Sequence, residues 1–256
     1  MHAQAPDADW RAFETPHFRV TFEVGLEAPA RHAAAVAEGA YALYARTLTP
    51  PPAGAIELVV SDHADFSNGS ATPLPSNRIM ILVKPPVDNP QLDDHRDWIE
   101  LVVVHELAHV FHIDQTGMLG RIVRGVFGRL PLGHPAFPAL FTPGWAVEGL
   151  ATELESRHTG AGRVRGTYLE MVLRTAALRD RLAPIDRASH ASPVWPEGLH
   201  AYAYGGLFLD HLSDTRGQDA AAALVRETAR ATLPPTWFFD RVGRRAFGAE
   251  FTALWT

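Results

Sequence analysis

Val102-Val103-Val104-His105-Glu106-Leu107-Ala108-His109-Val110-Phe111-His112 is the most informative run in the chain. It sits within residues 98–113, where apolar positions recur at helical spacing. Val102, Val103, Val104, Leu107, Ala108 and Val110 make this helix mostly buried. N-terminal to it, residues 18–24 alternate apolar and polar side chains as a half-buried strand does. Residues 28–47 are an alanine-rich stretch with a hydrophobic stripe, stopped by Thr49-Pro50-Pro51-Pro52, and predict a helix. Residues 56–60 and 79–83 are β-branched runs between turn residues and predict strands. Ser67-Asn68-Gly69-Ser70-Ala71-Thr72-Pro73-Leu74-Pro75, between them, reads as loop. Beyond Asp97 strand signals stop. Residues 145–157, 165–182, 202–215, 219–231 and 240–255 all carry helical spacing. A βαββ front and an all-helical back predict an α+β fold. The expected arrangement is an N-terminal α+β lobe, 1–114, ending in the informative helix, and a helical lobe, 115–256. The two form one unit with a cleft where they meet.

Composition narrows the function. The chain has 256 residues, 46% hydrophobic and 20% charged, enough for a sizeable core and too apolar for a disordered segment. A net charge of −6 argues against nucleic acid as a partner, because phosphate binding needs a basic face. No run is long and apolar enough to predict a membrane-spanning helix. Cysteine is absent, so thiol catalysis, disulfides and zinc ribbons are excluded, and any metal must be held by the 13 histidines or by carboxylates. At the N-terminus Ala3-Gln4-Ala5 is similar to the end of a signal-cleavage site, which would imply export; a ragged terminus is the alternative. At the other end, residues 247–256 read as a helix that stops in mid-pattern without a glycine cap. That suggests a fragment, or a further C-terminal domain.

His105 and His109 are four residues apart, so both imidazoles leave one face of the helix a turn apart and can grip one ion. Glu106, beside the first ligand, is placed to take a proton from a water on that ion; Zn²⁺ brings such a water's pKa near neutrality. A solvated His/Glu face is the alternative, and the flanking valines weigh against it. A catalytic site needs a third protein ligand. His112 is too close on the same helix and reads as core or as a support for a ligand. Glu148, early on the helix that follows Thr142-Pro143-Gly144, is the better candidate. Glu155, two turns further on the same face, is placed to orient a ligand histidine. Glu153 reads as a surface residue.

His105-Glu106-Leu107-Ala108-His109, followed by Trp145-Ala146-Val147-Glu148-Gly149-Leu150-Ala151-Thr152, resembles the gluzincin metallopeptidases, which include thermolysin-like enzymes and zinc aminopeptidases. Within that group the chain is most similar to the bacterial peptidase MA-like family, on an opening strand at His17 to Val20 and a Tyr202-Ala203-Tyr204-Gly205 helix after the glutamate motif. The resemblance implies a thermolysin-like catalytic domain that hydrolyses peptide or protein substrates. It also implies a zinc cofactor held by His105, His109 and Glu148, Glu106 as general base, and Tyr202 as donor to the oxyanion, with Tyr204 as a rival. The acidic segment with which such aminopeptidases bind a free amine is missing from residues 76–83, which favours an endopeptidase. The strand at Ile79 is then a candidate edge for an extended peptide. The rival function is a binding or assembly module of a larger exported protein, its zinc structural.

Between the two motifs, Met118, Leu119, Ile122, Val123, Val126, Phe127 and Leu130 recur at helical spacing with Arg121, Arg124 and Arg129 interleaved. This predicts either a lid or wall of the cleft or a basic amphipathic helix on a membrane surface.

Overall fold

A computed structural model describes residues 8–129, 133–189, 194–217 and 219–255. The segment containing Ala3-Gln4-Ala5, Leu130 of the linker pattern, and Thr256 lie outside the described residues. The fold is α+β, with a five-stranded mixed sheet ordered β1-β2-β3-β5-β4. Its strands are β1 (Trp10–Glu14), β2 (Phe18–Glu23), β3 (Ile56–Ser61), β4 (Gly69–Thr72) and β5 (Arg78–Leu82). β2, β3 and β5 run parallel, and β1 and β4 flank them antiparallel. The register aligns Val20 with Leu58 and Leu58 with Ile79, then Phe22 with Val60 and Val60 with Ile81. All six side chains are buried, so period-2 patterning in three separate segments becomes one continuous apolar face.

Two helices cover that face. α1 (Glu27–Thr47) presents Ala30, Ala33, Ala34 and Ala37, small enough for close approach. α2 (Trp98–Ile113) opens on Asp97, whose side chain accepts a hydrogen bond from the Glu100 amide at 3.2 Å. The Trp98 indole N–H donates to the Leu82 carbonyl at 2.8 Å, and the Tyr44 hydroxyl donates to the Val104 carbonyl at 3.1 Å. These bonds pin α2 to β5 at one end and to α1 along its length. Every residue from Leu101 to Ile113 is buried, as the apolar run predicts. Such a helix draws its stability from packing, and truncating a wholly buried side chain such as Leu107 costs roughly 2–5 kcal/mol.

The helical lobe packs on the other side of α2. It comprises α3 (Met118–Phe127), α4 (Gly144–Thr159), α5 (Thr167–Leu178), α6 (His200–Arg216), α7 (Ala220–Ala229), α8 (Pro235–Phe247) and α9 (Phe251–Trp255). α4 lies between α2 and α6. It ends at Gly160, whose φ of +66° gives the left-handed turn that stops a helix. The crossing of α4 and α6 is unusually close: a Cβ on Gly205 would sit 2.0 Å from the Trp145 carbonyl oxygen and 2.9 Å from the Gly149 Cα. The glycines of the two quoted motifs thus lie back to back. No described helix is long and apolar enough to cross a membrane.

Four expectations need correction. Gly69–Thr72 is a strand, held by antiparallel pairing with β5, although the surrounding segment has the composition of a loop. β5 is consequently interior, and β4 is the edge. The 240–255 segment is two helices, because Gly248 (φ +81°) caps α8 before α9 begins. Glu153 is buried, not at the surface: α4 is covered on nearly all sides, and the Arg157 Nε donates to the Glu153 carboxylate at 2.5 Å.

Candidate metal centre

α2 and α4 bring three donor atoms together. His105 Nε2 and His109 Nε2 are 3.1 Å apart, and Glu148 Oε2 is 3.4 Å from each. Ligand bonds of about 2.0–2.1 Å at the tetrahedral angle put donor atoms about 3.3 Å apart, so this triangle has the size that a zinc ion needs. The chemistry agrees. His105 Nδ1 donates to Glu155 Oε2 at 2.6 Å, which leaves Nε2 with its lone pair aimed at the other two acceptors. Three lone-pair donors so close repel one another unless a positive charge sits between them, either a proton or a cation. The residues therefore fit a metal ion.

The electrostatics follow from the same geometry. Burial alone would lower the His105 pKa, but the Glu155 and Glu148 carboxylates hold it up at about 9. Burial would raise that of Glu148, yet the two histidines hold it far below the usual carboxylate range. Glu155 is wholly buried and is nevertheless kept ionised by Arg163 and His105. Glu106 is different. Burial raises its pKa, and the nearby histidines offset that only in part. A carboxylate pushed upward toward neutrality is a better base than a free one. His112 is buried with neither ring nitrogen hydrogen-bonded among the described residues, and burial depresses its pKa to about 3. It belongs to the core.

The two tyrosines separate cleanly. Tyr202 lines the cleft, is hydrogen-bonded to Glu148, and has its ring centroid 6.4 Å from that of His105. Burial and then Glu148 push its hydroxyl pKa upward, so it remains a donor. Tyr204, two residues further along the helix, is buried and stacked on Trp255, and its hydroxyl accepts from the Ala183 amide at 3.3 Å. Period 3.6 sends the two side chains to different sides of α6.

Arg163 escaped the sequence reading. Its Nη1 donates to Glu155 Oε2 at 2.6 Å, its amide donates to Glu155 Oε1 at 3.3 Å, and its guanidinium lies 4.9 Å from the Tyr202 ring centroid. It holds in place the carboxylate that orients His105, and it sits against the tyrosine. It stands in the turn between α4 and α5, where no periodic pattern marks a residue.

The site opens into a cleft of about 280 Å³. One wall is Gly69, Ser70 and Ala71 of β4, and opposite lie Val147, Glu148 and Tyr202. A Cβ on Gly69 would come within 2.4 Å of Val102 Cγ2 and 2.6 Å of Glu106 Oε1, so only glycine lets the edge strand approach α2 there. None of the cleft-lining residues belongs to α3, so the linker helix is not a wall of the cleft among the described residues. Compared with the models of known families and with curated proteins, the chain matches none, so the function of this centre is argued from its geometry.

Proposed function

We propose that this chain is a zinc-dependent metallopeptidase of the gluzincin type. The carrying observation is the triangle of His105, His109 and Glu148 donors at 3.1–3.4 Å, with a buried glutamate at the position next to the first ligand. A bound zinc ion would supply Lewis acidity, acidifying a water and polarising a peptide carbonyl. Glu106, its pKa raised by burial, takes the proton of the attacking water and passes it to the departing amine. Tyr202, kept protonated, donates to the oxygen on which negative charge develops. Glu155 and Arg163 fix the His105 ring so that Nε2 faces the other ligands.

Internal cleavage fits better than removal of an N-terminal residue. The carboxylates lining the cleft among the described residues are Glu106, Glu148 and Glu155. Each already has a role, and none is left to bind a substrate's free amine. β4, at the sheet edge beside the cleft, offers backbone groups to an extended peptide, the part first given to the Ile79 strand. A purely structural ion would call for four protein ligands closed off from solvent, whereas three converge here among the described residues, beside an open cleft.

The test is metal analysis together with cleavage of an unfolded protein such as casein. Stoichiometric zinc, loss of cleavage with chelator and its return with zinc are expected. Glu106→Gln should keep the metal and lose about 10²–10⁴-fold in turnover. Bound zinc without any turnover that Glu106→Gln abolishes would sink the proposal.

A further inference from the structure

The helix that follows the metal-binding helix faces an unusual way. In α3 it is an arginine, with a second just beyond the helix end, that turns toward the protein. Arg124 donates to the Asp114 carboxylate at 3.2 Å and to the Ala136 carbonyl at 2.8 Å, with its guanidinium 3.9 Å from the Phe137 ring centroid. Arg129 donates to Asp114 at 2.8 Å and to Asn77 at 2.7 Å. Val123 packs on the cluster of Ile113 and Phe137, but the rest of the apolar side is left outside. Met118, Leu119, Ile122, Val126 and Phe127 are all more than half exposed, from 53% at Ile122 to 73% at Met118. The surface continues past α7: Ala231 and Thr232 border both the groove beside Met118 and Ile122 and the groove beside Leu233 and Phe238. Next to Phe238, Trp237 is 77% exposed. An exposed apolar area this extended marks a contact surface rather than ordinary scatter.

Charge identifies what it contacts. Between Asp114 and Glu148 the chain has three arginines and no carboxylate. Residues 228–245 hold four arginines and one acid, Asp240, whose carboxylate is occupied by the Phe251 amide. Arg121, Arg241 and Arg245 have no carboxylate partner among the described residues, and Arg241 instead covers the Phe238 ring at 4.5 Å. Arg230 and Arg244 pair with Glu227 and Glu250. In a protein of net charge −6, an apolar face that carries Arg121, Arg241 and Arg245 without carboxylate partners complements a surface that is apolar inside and negative outside.

We propose that this face docks on an anionic lipid bilayer, with α3 lying in the headgroup region and Trp237 and Phe238 entering beside it. Interfacial helices bury one apolar side in this way, while basic residues meet lipid phosphates. A second copy of the chain fits less well, since a symmetric contact would bring the same unpaired arginines face to face. α3 contributes nothing to the metal cleft, so docking leaves the cleft free.

The experiment is co-sedimentation of the full chain with vesicles of phosphatidylcholine alone and of phosphatidylcholine with phosphatidylglycerol. Binding to the mixed vesicles, weakened by salt, and little binding to the neutral ones are expected. The double variant Ile122→Asp, Phe127→Asp should lower partitioning about tenfold or more. Arg121→Glu with Arg245→Glu should lower it on the anionic vesicles. All four side chains are exposed, so thermal melting and zinc content should stay as in the parent chain. Failure to bind either vesicle overturns the proposal, and so does equal binding to both. A concentration-dependent dimer that Ile122→Asp, Phe127→Asp dissolves, and that vesicles do not compete away, overturns it in favour of a second copy.

Discussion

Gly205→Ala tests whether the closeness of α4 and α6 positions the active groups. The added Cβ would lie 2.0 Å from the Trp145 carbonyl oxygen, where an ordinary C···O contact is about 3.3 Å or more. The obstacle is backbone, which has no rotamer to escape into, so the helices must part by about 1 Å. Overpacking of this kind costs about 1–3 kcal/mol, and the upper end applies here even after the gain of up to about 1 kcal/mol from alanine's helix propensity. For a domain of this size that lowers Tm by roughly 5–10 °C, read by calorimetry or circular dichroism. α4 carries Glu148 and α6 carries Tyr202, so the same displacement separates the proposed oxyanion donor from the proposed metal ligand. A misplacement of about 1 Å typically costs about 10²-fold in turnover. Two controls frame the result. Gly206→Ala meets side chains instead of backbone, Thr152 Cγ2 at 2.7 Å, Thr152 Cβ at 3.2 Å and Val164 Cγ2 at 3.4 Å, and should cost less than Gly205→Ala. Gly39→Ala, with nothing within 4 Å on an exposed side of α1, should raise stability by about 0.5–1 kcal/mol. A Gly205→Ala protein that melts with the parent chain and turns over equally fast would refute the reasoning.

Glu148→Gln replaces a charged ligand by a neutral one and should weaken zinc binding by at least about 100-fold, measured by competition with a chromogenic chelator, with the fold retained. Tyr202→Phe should lower kcat by about 10²–10³-fold while zinc content stays the same, whereas unchanged turnover would remove the tyrosine from the chemistry. His112 governs an acid limb. Its folded pKa of about 3 lies below the ordinary value of 6.5, so between these two the unfolded chain holds a proton that the folded chain refuses. Stability therefore falls as pH drops through that window. His112→Leu should flatten urea-melt stability there by up to about 1.4 kcal/mol per pH unit, while leaving it little changed above pH 7.

Much of this architecture can be read from the residues, and the exceptions have physical causes. α2 was legible because packing surrounds it, so its apolar run and His105–His109 spacing point one way. Glu148 and Glu155 were legible because two turns of one helix carry both to one face. β4 was not. Gly69-Ser70-Ala71-Thr72 has no strand composition; its extended form comes from pairing with β5, and its small residues are needed because Val102 and Glu106 press against it. Glu153 was misread because charge suggests solvent, while its burial depends on α6, far away in sequence. Arg163 left no trace, since a turn residue acquires its partners only through tertiary placement. β1, a short edge strand of mixed residues, gave too little alternation to stand out.

α2 belongs to both halves of the molecule, packed on α1, β4 and β5 on one side and on α4 on the other. A spine shared in this way ties the two halves to each other through one helix. For the peptidase proposed above, a chain to be cut would then enter lengthwise along the groove, and a tightly folded loop would have to unravel before it fits. On that proposal, slackness of the target, more than the identity of any one of its side chains, would decide what is cut.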